Sequence, residues 1–151
     1  MIAVGSDHGG LALKDAVKSA LAARGHEVDD YGTDNGDSVD YPDFAEKVAG
    51  AVSRGDVDLG ILVCGTGIGM SIVANKYPGV RAALVTDVFM AQMAKEHNNA
   101  NVLVLGGRVL DEELAVNMVN VWLDSCYEAG RHQRRLDKIS RLEEAVRAGK
   151  F

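Results

Sequence analysis

The chain has 151 residues, of which 47% are hydrophobic and 25% charged, a composition that predicts one globular domain over residues 1–151 and excludes extended disorder. Its net charge is −6, and no apolar run is long enough for a membrane span or a signal-peptide core. We therefore expect a cytoplasmic protein with neither a membrane nor a nucleic acid among its partners.

Apolar runs alternate with helical repeats along the whole chain. The apolar runs predict strands at Ile2–Ser6, Glu27–Tyr31, Asp58–Cys64, Arg81–Thr86 and Asn101–Leu105. The repeats predict helices at Leu11–Arg24, Tyr41–Arg54, from the turn after Cys64 to about Lys76, at Asp87–His97, Asp111–Tyr127 and residues 133–147. This alternation predicts an α/β fold, a three-layer, doubly wound, Rossmann-like sandwich with a five-stranded parallel sheet and an extra C-terminal helix.

This pattern predicts a packing role for several apolar and sulfur-containing side chains. We place Trp122, Met90 and Met93 in the core and Cys126 in the fifth long helix, where it packs. The two cysteines, Cys64 and Cys126, match neither a disulfide framework nor a zinc motif, so we expect free thiols and no metal.

The final predicted helix carries both an apolar stripe and a basic face. Residues 131–151 contain seven basic and three acidic residues. Leu136, Ile139, Leu142 and Val146 form the stripe, which either packs on its own domain or docks on a partner subunit. The basic face is either a solvated surface or a binding site for small anions. Spacing alone does not decide between these alternatives.

A glycine-rich turn, Cys64-Gly65-Thr66-Gly67-Ile68-Gly69, follows the most apolar strand. Ligands of open α/β sheets bind beyond the carboxyl ends of the strands, and glycines let backbone N–H groups approach an anion closely. The positive end of the following helix favours the thiolate of Cys64, which suits a nucleophile or a general base. The alternative is that Cys64 is an inert, buried strand-end residue.

The same turn partly matches a dinucleotide-binding loop. It has three alternating glycines, but Met70 stands where the fingerprint requires a further glycine. Asp87 lies near the distance expected for an acid that binds a ribose. A nucleotide-binding domain, redox or non-catalytic, is therefore the alternative from a different functional class.

Further polar residues stand at the ends of other elements. Asp7 and His8 follow the first strand, and Asp7 also suits a helix cap. Arg108 follows the fifth strand, and His97 ends a helix among several asparagines, which is typical of a polar site. Because Asp7, His8, Cys64 and His97 lie on different elements, we do not expect them to hold a metal.

Seven blocks of this sequence together resemble the ribose-5-phosphate isomerase type B family and its relatives, the galactose-6-phosphate isomerase subunits. They occur in the family's order and extend to about residue 145. The blocks are Gly5–Gly10, Asp40–Pro42, Cys64–Gly69, Ala74–Lys76, Glu96–Asn98, Gly107–Val109 and Gly130–Arg135. One branch of the family has a glutamate just after the glycine turn; Met70 occupies that position here, so the chain resembles the cysteine-base branch.

The resemblance implies a cofactor-free aldose–ketose isomerase that interconverts ribose 5-phosphate and ribulose 5-phosphate through an enediolate, in the non-oxidative pentose phosphate pathway. Cys64 would move the proton between C1 and C2 with assistance from Thr66, and His97 would open the sugar ring. The implied substrate-binding residues are Asp7, His8, Gly65, Gly67, Ile68, Gly69, Asn98, Arg108, Arg131 and Arg135. The three arginines would hold the phosphate.

The resemblance also implies a homodimer or tetramer with its sites between subunits. Arg131 and Arg135 would then reach a partner's cleft, and their i, i+4 spacing favours Arg135 over Arg134 for the shared phosphate. A hexose 6-phosphate, such as allose or galactose 6-phosphate, is the alternative substrate, since one carbon of reach cannot be measured from sequence.

Overall fold

The computed structural model describes all 151 residues and places a parallel sheet between two layers of helices. The strands are β1 (Ile2–Ser6), β2 (Val28–Asp30), β3 (Leu59–Cys64), β4 (Ala82–Leu84) and β5 (Val102–Gly106). The helices are α1 (Leu11–Ala23), α2 (Pro42–Arg54), α3 (Ile68–Ala74), α4 (Val88–Glu96), α5 (Glu112–Asp124) and α6 (Arg131–Arg147). The predicted fold class is confirmed. No helix combines the length and apolarity needed to span a membrane.

The strand order is β2-β1-β3-β5-β4, and every neighbouring pair is parallel. The chain winds outward from β1 to β2 and then, from β3, toward the other edge. The order therefore reverses between β1 and β3, where open α/β sheets form their ligand crevice. The register pairs Ser6 with Val63 and Cys64 with Gly106, so three strands end side by side at this crevice.

Side chains of the central strands alternate between two apolar cores. Ile61 and Val63 face α1, α4 and α5, in a core that includes the fully buried Trp122. Leu62 and Cys64 face α2 and α3. Because both faces of β3 are covered, its sequence is apolar at every position except Gly60.

The segment between α5 and α6 differs from the prediction. Helix α5 ends at Asp124 because Ser125 adopts an extended conformation, so Cys126 is exposed and lies outside any helix. The prediction that Cys126 packs within this helix was wrong. Ala129 and Gly130 both have positive φ, and α6 begins directly after them at Arg131 rather than at residue 133.

The core assignment is confirmed for Trp122 and wrong for Met90. Met90 is 40% exposed, and its neighbour Phe89 is 68% exposed. Both lie in the first turn of α4, beyond the last residue of the short edge strand β4. The sheet therefore leaves this turn uncovered.

A buried lysine anchors the segment that follows β2. Lys14 Nζ donates to Asp30 Oδ1 at 2.7 Å and to the carbonyl oxygen of Thr33 at 2.6 Å, and it is almost inaccessible to solvent. The more exposed Lys18 donates to the second oxygen of Asp30. Burial raises the pKa of Asp30, but the hydrogen bonds from the two lysines and from the Gly32 N–H outweigh it, so this pKa is lower than usual.

The two lysines form a matched pair for measuring this anchor. We expect Lys14→Met to lower the free energy of unfolding by about 1–3 kcal/mol, because a buried carbonyl and a carboxylate lose their donor. Lys18→Met should cost less than about 1 kcal/mol, since solvent replaces an exposed partner. Urea denaturation at pH 7 compares them, and equal losses would contradict the role of Lys14.

The same pair gives a pH test. Asp30 has a depressed pKa in the folded state, so its ion pairs stabilise fully above the unfolded value of about 4 and are lost as the pH falls below it. The difference in free energy of unfolding between wild type and Lys14→Met should therefore be smaller in acid than at pH 7.

Candidate active site

The thiol of Cys64 points into the turn that joins β3 to α3. Cys64 is only 5% exposed, and its Sγ accepts a hydrogen bond from the Gly67 N–H at 3.1 Å. Gly67 has a φ of 80°, a left-handed conformation that suits glycine, and this fold of the turn brings the N–H back onto the sulfur. The sulfur therefore lies against a backbone donor at the start of α3.

The turn presents backbone donors to the crevice. The N–H groups of Gly65 and Thr66 have no acceptor within the chain, and the Ile68 N–H donates to Thr66 Oγ1 at 3.3 Å. The first turn of α3, which includes Gly69, adds donors without partners inside the helix. Such a cluster can bind an anion or stabilise a developing oxyanion.

The turn after β1 forms the opposite wall of the crevice. Asp7 is buried and accepts a hydrogen bond from the Gly10 N–H at 3.0 Å, so it acts as the cap that its position predicts. His8 is half-buried, and its Nδ1 accepts from the Val39 N–H at 3.2 Å. That bond leaves Nε2 of His8 to carry the ring proton and to donate.

Arg108 lies between these two turns. Its guanidinium is so close to Gly9 and Gly65 that a Cβ added to either glycine would lie 3.4 Å from one of its nitrogens. The Arg108 N–H donates to the carbonyl oxygen of Gly65 at 2.9 Å, and the side chain is exposed. A permanent positive charge therefore stands at the mouth of the crevice. We call Asp7, His8, Cys64–Gly69 and Arg108 the carboxyl-edge group.

The remaining predicted site residues lie at the other edge of the sheet. His97 caps the C-terminus of α4, Asn98 follows it, and both precede β5. Arg131 and Arg135 are exposed on the first turns of α6, whose inward-facing His132 contacts His97. We call His97, Asn98, Arg131 and Arg135 the amino-edge group.

One protomer does not bring the two groups together. Gly106 pairs with Cys64 at the carboxyl end of β5, whereas His97 precedes its amino end. The five residues of β5 rise about 3.3 Å each and separate the two edges by about 16 Å. The structure thus gathers the carboxyl-edge group around Cys64 and leaves the amino-edge group at the opposite edge.

Asp87 has a structural role that the dinucleotide interpretation did not assign to it. Its Oδ1 accepts a hydrogen bond from the Met90 N–H at 2.7 Å and caps α4. The observation removes one of the two sequence features that favoured a nucleotide.

Sequence reasoning missed three residues that contact the predicted site. The ring of Tyr41 lies so close to Gly69 that a Cβ there would be 2.4 Å away. Glu128 and His132 lie against His97. Tyr41 and His132 fall within the blocks that carry the family resemblance, which was the available signal; no sequence pattern pointed to Glu128.

Comparison with known proteins gives consistent matches over nearly the whole chain. Residues 2–139 match the Ribose/Galactose Isomerase family. The chain is 48% identical over 143 residues to ribose-5-phosphate isomerase B of Escherichia coli, which covers 95% of this chain and 96% of that protein. It is 43% identical over 143 residues to D-erythrulose-4-phosphate isomerase of Pectobacterium atrosepticum, with 94% of each chain covered. The crystal structure of ribose-5-phosphate isomerase B from Mycoplasma genitalium with bound ribulose 5-phosphate has a TM-score of 0.92, 46% identity and 95% coverage of each chain.

The close backbone packing next to Cys64 can be tested by adding one methyl group at Gly10. A Cβ at Gly10 would lie 2.5 Å from the carbonyl oxygen of Val63, so Gly10→Ala must push the Asp7–Gly10 turn away from β3. We expect turnover of a sugar phosphate to fall by about tenfold to a hundredfold, because small displacements of positioning groups are costly. Gly36→Ala, where no atom lies within 4 Å, is the control. Wild-type turnover in Gly10→Ala would contradict this packing role.

Proposed function

The chain belongs to the Ribose/Galactose Isomerase family, and from this premise we propose that it interconverts ribose 5-phosphate and ribulose 5-phosphate through an enediolate. The observation that carries the proposal is the turn at Cys64. It places a thiol, 3.1 Å from the Gly67 N–H, beside backbone donors that have no acceptor of their own. Enediolate formation needs a base next to donors for the developing oxyanion.

Cys64 acts as the base in this mechanism. Its thiolate removes the proton from C2 of the open-chain aldose, and the electron pair of that C–H bond forms the C1–C2 double bond while O1 becomes the oxyanion. The N–H groups of Gly65 and Thr66 and the first turn of α3 stabilise this charge. A proton moves from the C2 hydroxyl to O1, assisted by the exposed Thr66 hydroxyl, and the thiol returns its proton to C1.

Arginines hold the phosphate at the far end of the sugar. Arg108 belongs to the carboxyl-edge group, and Arg131 and Arg135 belong to the amino-edge group, where their i, i+4 spacing places both on one face of α6. Guanidinium groups recognise phosphate bidentately and stay charged. Binding energy from the phosphate orients the reacting carbons, and His8 contributes near the same end.

The site forms between two copies of the chain. His97 opens the sugar ring and Asn98 holds its hydroxyls, but in their own chain the length of β5, about 16 Å, separates their edge of the sheet from that of Cys64. In a homodimer with two-fold symmetry, each copy supplies its carboxyl-edge group to one site and its amino-edge group to the other. The extra C-terminal helix, which starts at Arg131, then docks on the partner.

Uncovered apolar surfaces support this assembly. Four apolar residues in or next to the carboxyl-edge group are more than half exposed: Ile68, Ile72, Phe89 and Val109. On α6 only Leu136 of the predicted stripe is buried; Ile139, Leu142 and Val146 are exposed along a groove of about 720 Å³. Contiguous exposed apolar surfaces of this kind mark protein interfaces.

The nearest alternative function is the same isomerisation of a sugar phosphate with a different number of carbons. The relative from Pectobacterium is named for a four-carbon substrate, and the hexose 6-phosphates stay a second possibility within the same mechanism. The reducing cytoplasm stays our prediction for the location, and it would preserve the thiol on which the mechanism depends.

A direct assay tests both the reaction and the base. We expect the purified protein to convert ribose 5-phosphate to ribulose 5-phosphate with no cofactor added, and allose and galactose 6-phosphate more slowly. Cys64→Ser should lower turnover by about a hundredfold or more, because it removes the base. Cys126→Ser, a change of an exposed cysteine outside both groups, should retain activity. Near-wild-type turnover in Cys64→Ser would remove the thiol from the mechanism.

A further inference from the structure

His97 is stacked on a second histidine of its own chain. The ring centroids of His97 and His132 are 4.1 Å apart, and the planes are inclined by 15°. The His132 side chain is buried, whereas the His97 side chain is 37% exposed. Glu128 Oε2 lies 3.4 Å from Nε2 of His132 and 3.9 Å from Nε2 of His97. One carboxylate thus faces both imidazoles.

The backbone holds this carboxylate against the helix that carries His97. The Glu128 N–H donates to the carbonyl oxygen of Glu96 at 3.0 Å, which ties the segment before α6 to the end of α4. The Glu96 side chain is itself held by Gln92 at 2.8 Å. The backbone therefore holds Glu128 next to the histidine pair.

The cluster does not have the geometry of a metal site. The three ligand atoms lie within 4.8 Å of one another. However, nitrogen lone pairs lie in the ring planes, and the two rings are stacked nearly parallel with their centroids 4.1 Å apart. Such lone pairs cannot converge on one ion at the usual Zn–N distance of about 2.0–2.1 Å.

We propose that His132 and Glu128 are positioning residues for His97 in the ring-opening step. The buried ring of His132 holds the imidazole plane of His97, and the carboxylate of Glu128, 3.9 Å from Nε2 of His97, stabilises the positive charge that His97 gains when it takes a proton from the sugar. This inference rests on the ring-opening role of His97 in the proposed function.

The charges around the pair keep His132 neutral. Burial lowers the pKa of His132, and the charges of His97 and Arg131, and more weakly Arg135, lower it further, while Glu128 opposes them. Two stacked imidazolium rings would repel each other at this distance. His132 therefore stays neutral at pH 7, and the charge of Glu128 acts on its more exposed neighbour.

The effect of this pair on ring opening can be measured separately from enediolate formation. In the aldofuranose, a base removes the proton of the O1 hydroxyl, an acid protonates the ring oxygen, the C1–O4 bond breaks and a C1=O1 bond forms, with no net change in protons. Ribulose 5-phosphate has no ring to open, because its phosphate occupies the oxygen that would close a furanose. Hydrogen exchange at C1 of ribulose 5-phosphate thus requires Cys64 but not ring opening.

The test compares these two reactions in the full-length protein. The variants are Glu128→Gln, His132→Ala and His132→Phe, with His97→Asn as reference and Glu27→Gln as charge-matched control; Glu27 is exposed and far from α4, beside β2. We expect Glu128→Gln and His132→Ala to lower kcat/KM for ribose 5-phosphate by about tenfold, a part of what general acid–base catalysis supplies. Exchange into ribulose 5-phosphate in D2O, followed by NMR, should change by less than about twofold, because the lost acid–base assistance belongs to the ring-opening step alone.

Two further readouts exclude a merely structural role. His132→Phe keeps a ring under His97 and should recover part of the activity lost in His132→Ala. Glu128→Gln removes the negative charge that faces both imidazoles, so the inflection in the pH profile for ribose 5-phosphate should move to lower pH.

Equal losses in both reactions, or no loss with ribose 5-phosphate, would overturn the positioning role. A wild-type protein that performs neither reaction would instead contradict the proposed function. If His97→Asn slows both reactions equally, then His97 does not open the ring and the inference fails with it.

Discussion

The parallel direction of all five strands determines which residues of this chain can meet. All five strands end at the same edge of the sheet, and the chain returns to the opposite edge along a helix before the next strand begins. Cys64 is the last residue of β3 and His97 follows helix α4, so the length of a strand separates them along the sheet. No side-chain rotation closes that gap, which is why the proposed site takes one group from each of two copies of the chain.

At the carboxyl edge, short backbone contacts hold the Cys64–Gly69 turn in place. The Gly107 N–H donates to the carbonyl oxygen of Cys64 at 2.7 Å, and the Asp7 N–H donates to that of Val63 at 3.3 Å. These bonds tie the turns after β1 and β5 to the end of β3. Glycine is required where the turns approach each other, since a Cβ at Gly107 would lie 2.6 Å from the carbonyl oxygen of Gly9. Donors held in this way need little rearrangement when charge develops.

Most of the fold could be predicted from the sequence, because a sheet covered on both faces requires apolar strands and the helices between them repeat at 3.6 residues. The boundary between α5 and α6 could not, since it depends on positive φ at Ala129, a conformation that alanine rarely adopts. The exposure of Met90 was missed because the sequence pattern does not distinguish a buried apolar residue from an exposed one.

The candidate site was predicted by resemblance rather than by local pattern. The glycine turn has a physical signature, and its geometry agrees with that expectation at Cys64 and Gly67. The pairing of His97 with Glu128 and His132 has no such signature, because it depends on how a non-helical segment crosses the end of α4. Sequence spacing does not reveal contacts between side chains that depend on the path of a non-helical segment.

The proposed sharing of the site between two chains is tested most directly by mixing two defective variants. Cys64→Ala and His97→Asn chains are each expected to be nearly inactive with ribose 5-phosphate. If a site takes Cys64 from one chain and His97 from the other, a hybrid dimer retains one intact site. Random reassociation of equal amounts should then restore about a quarter of the wild-type activity, because half of the dimers are hybrids with one working site of two. No recovery in hybrids verified by mass spectrometry would show that both residues act within one chain, and would contradict the account.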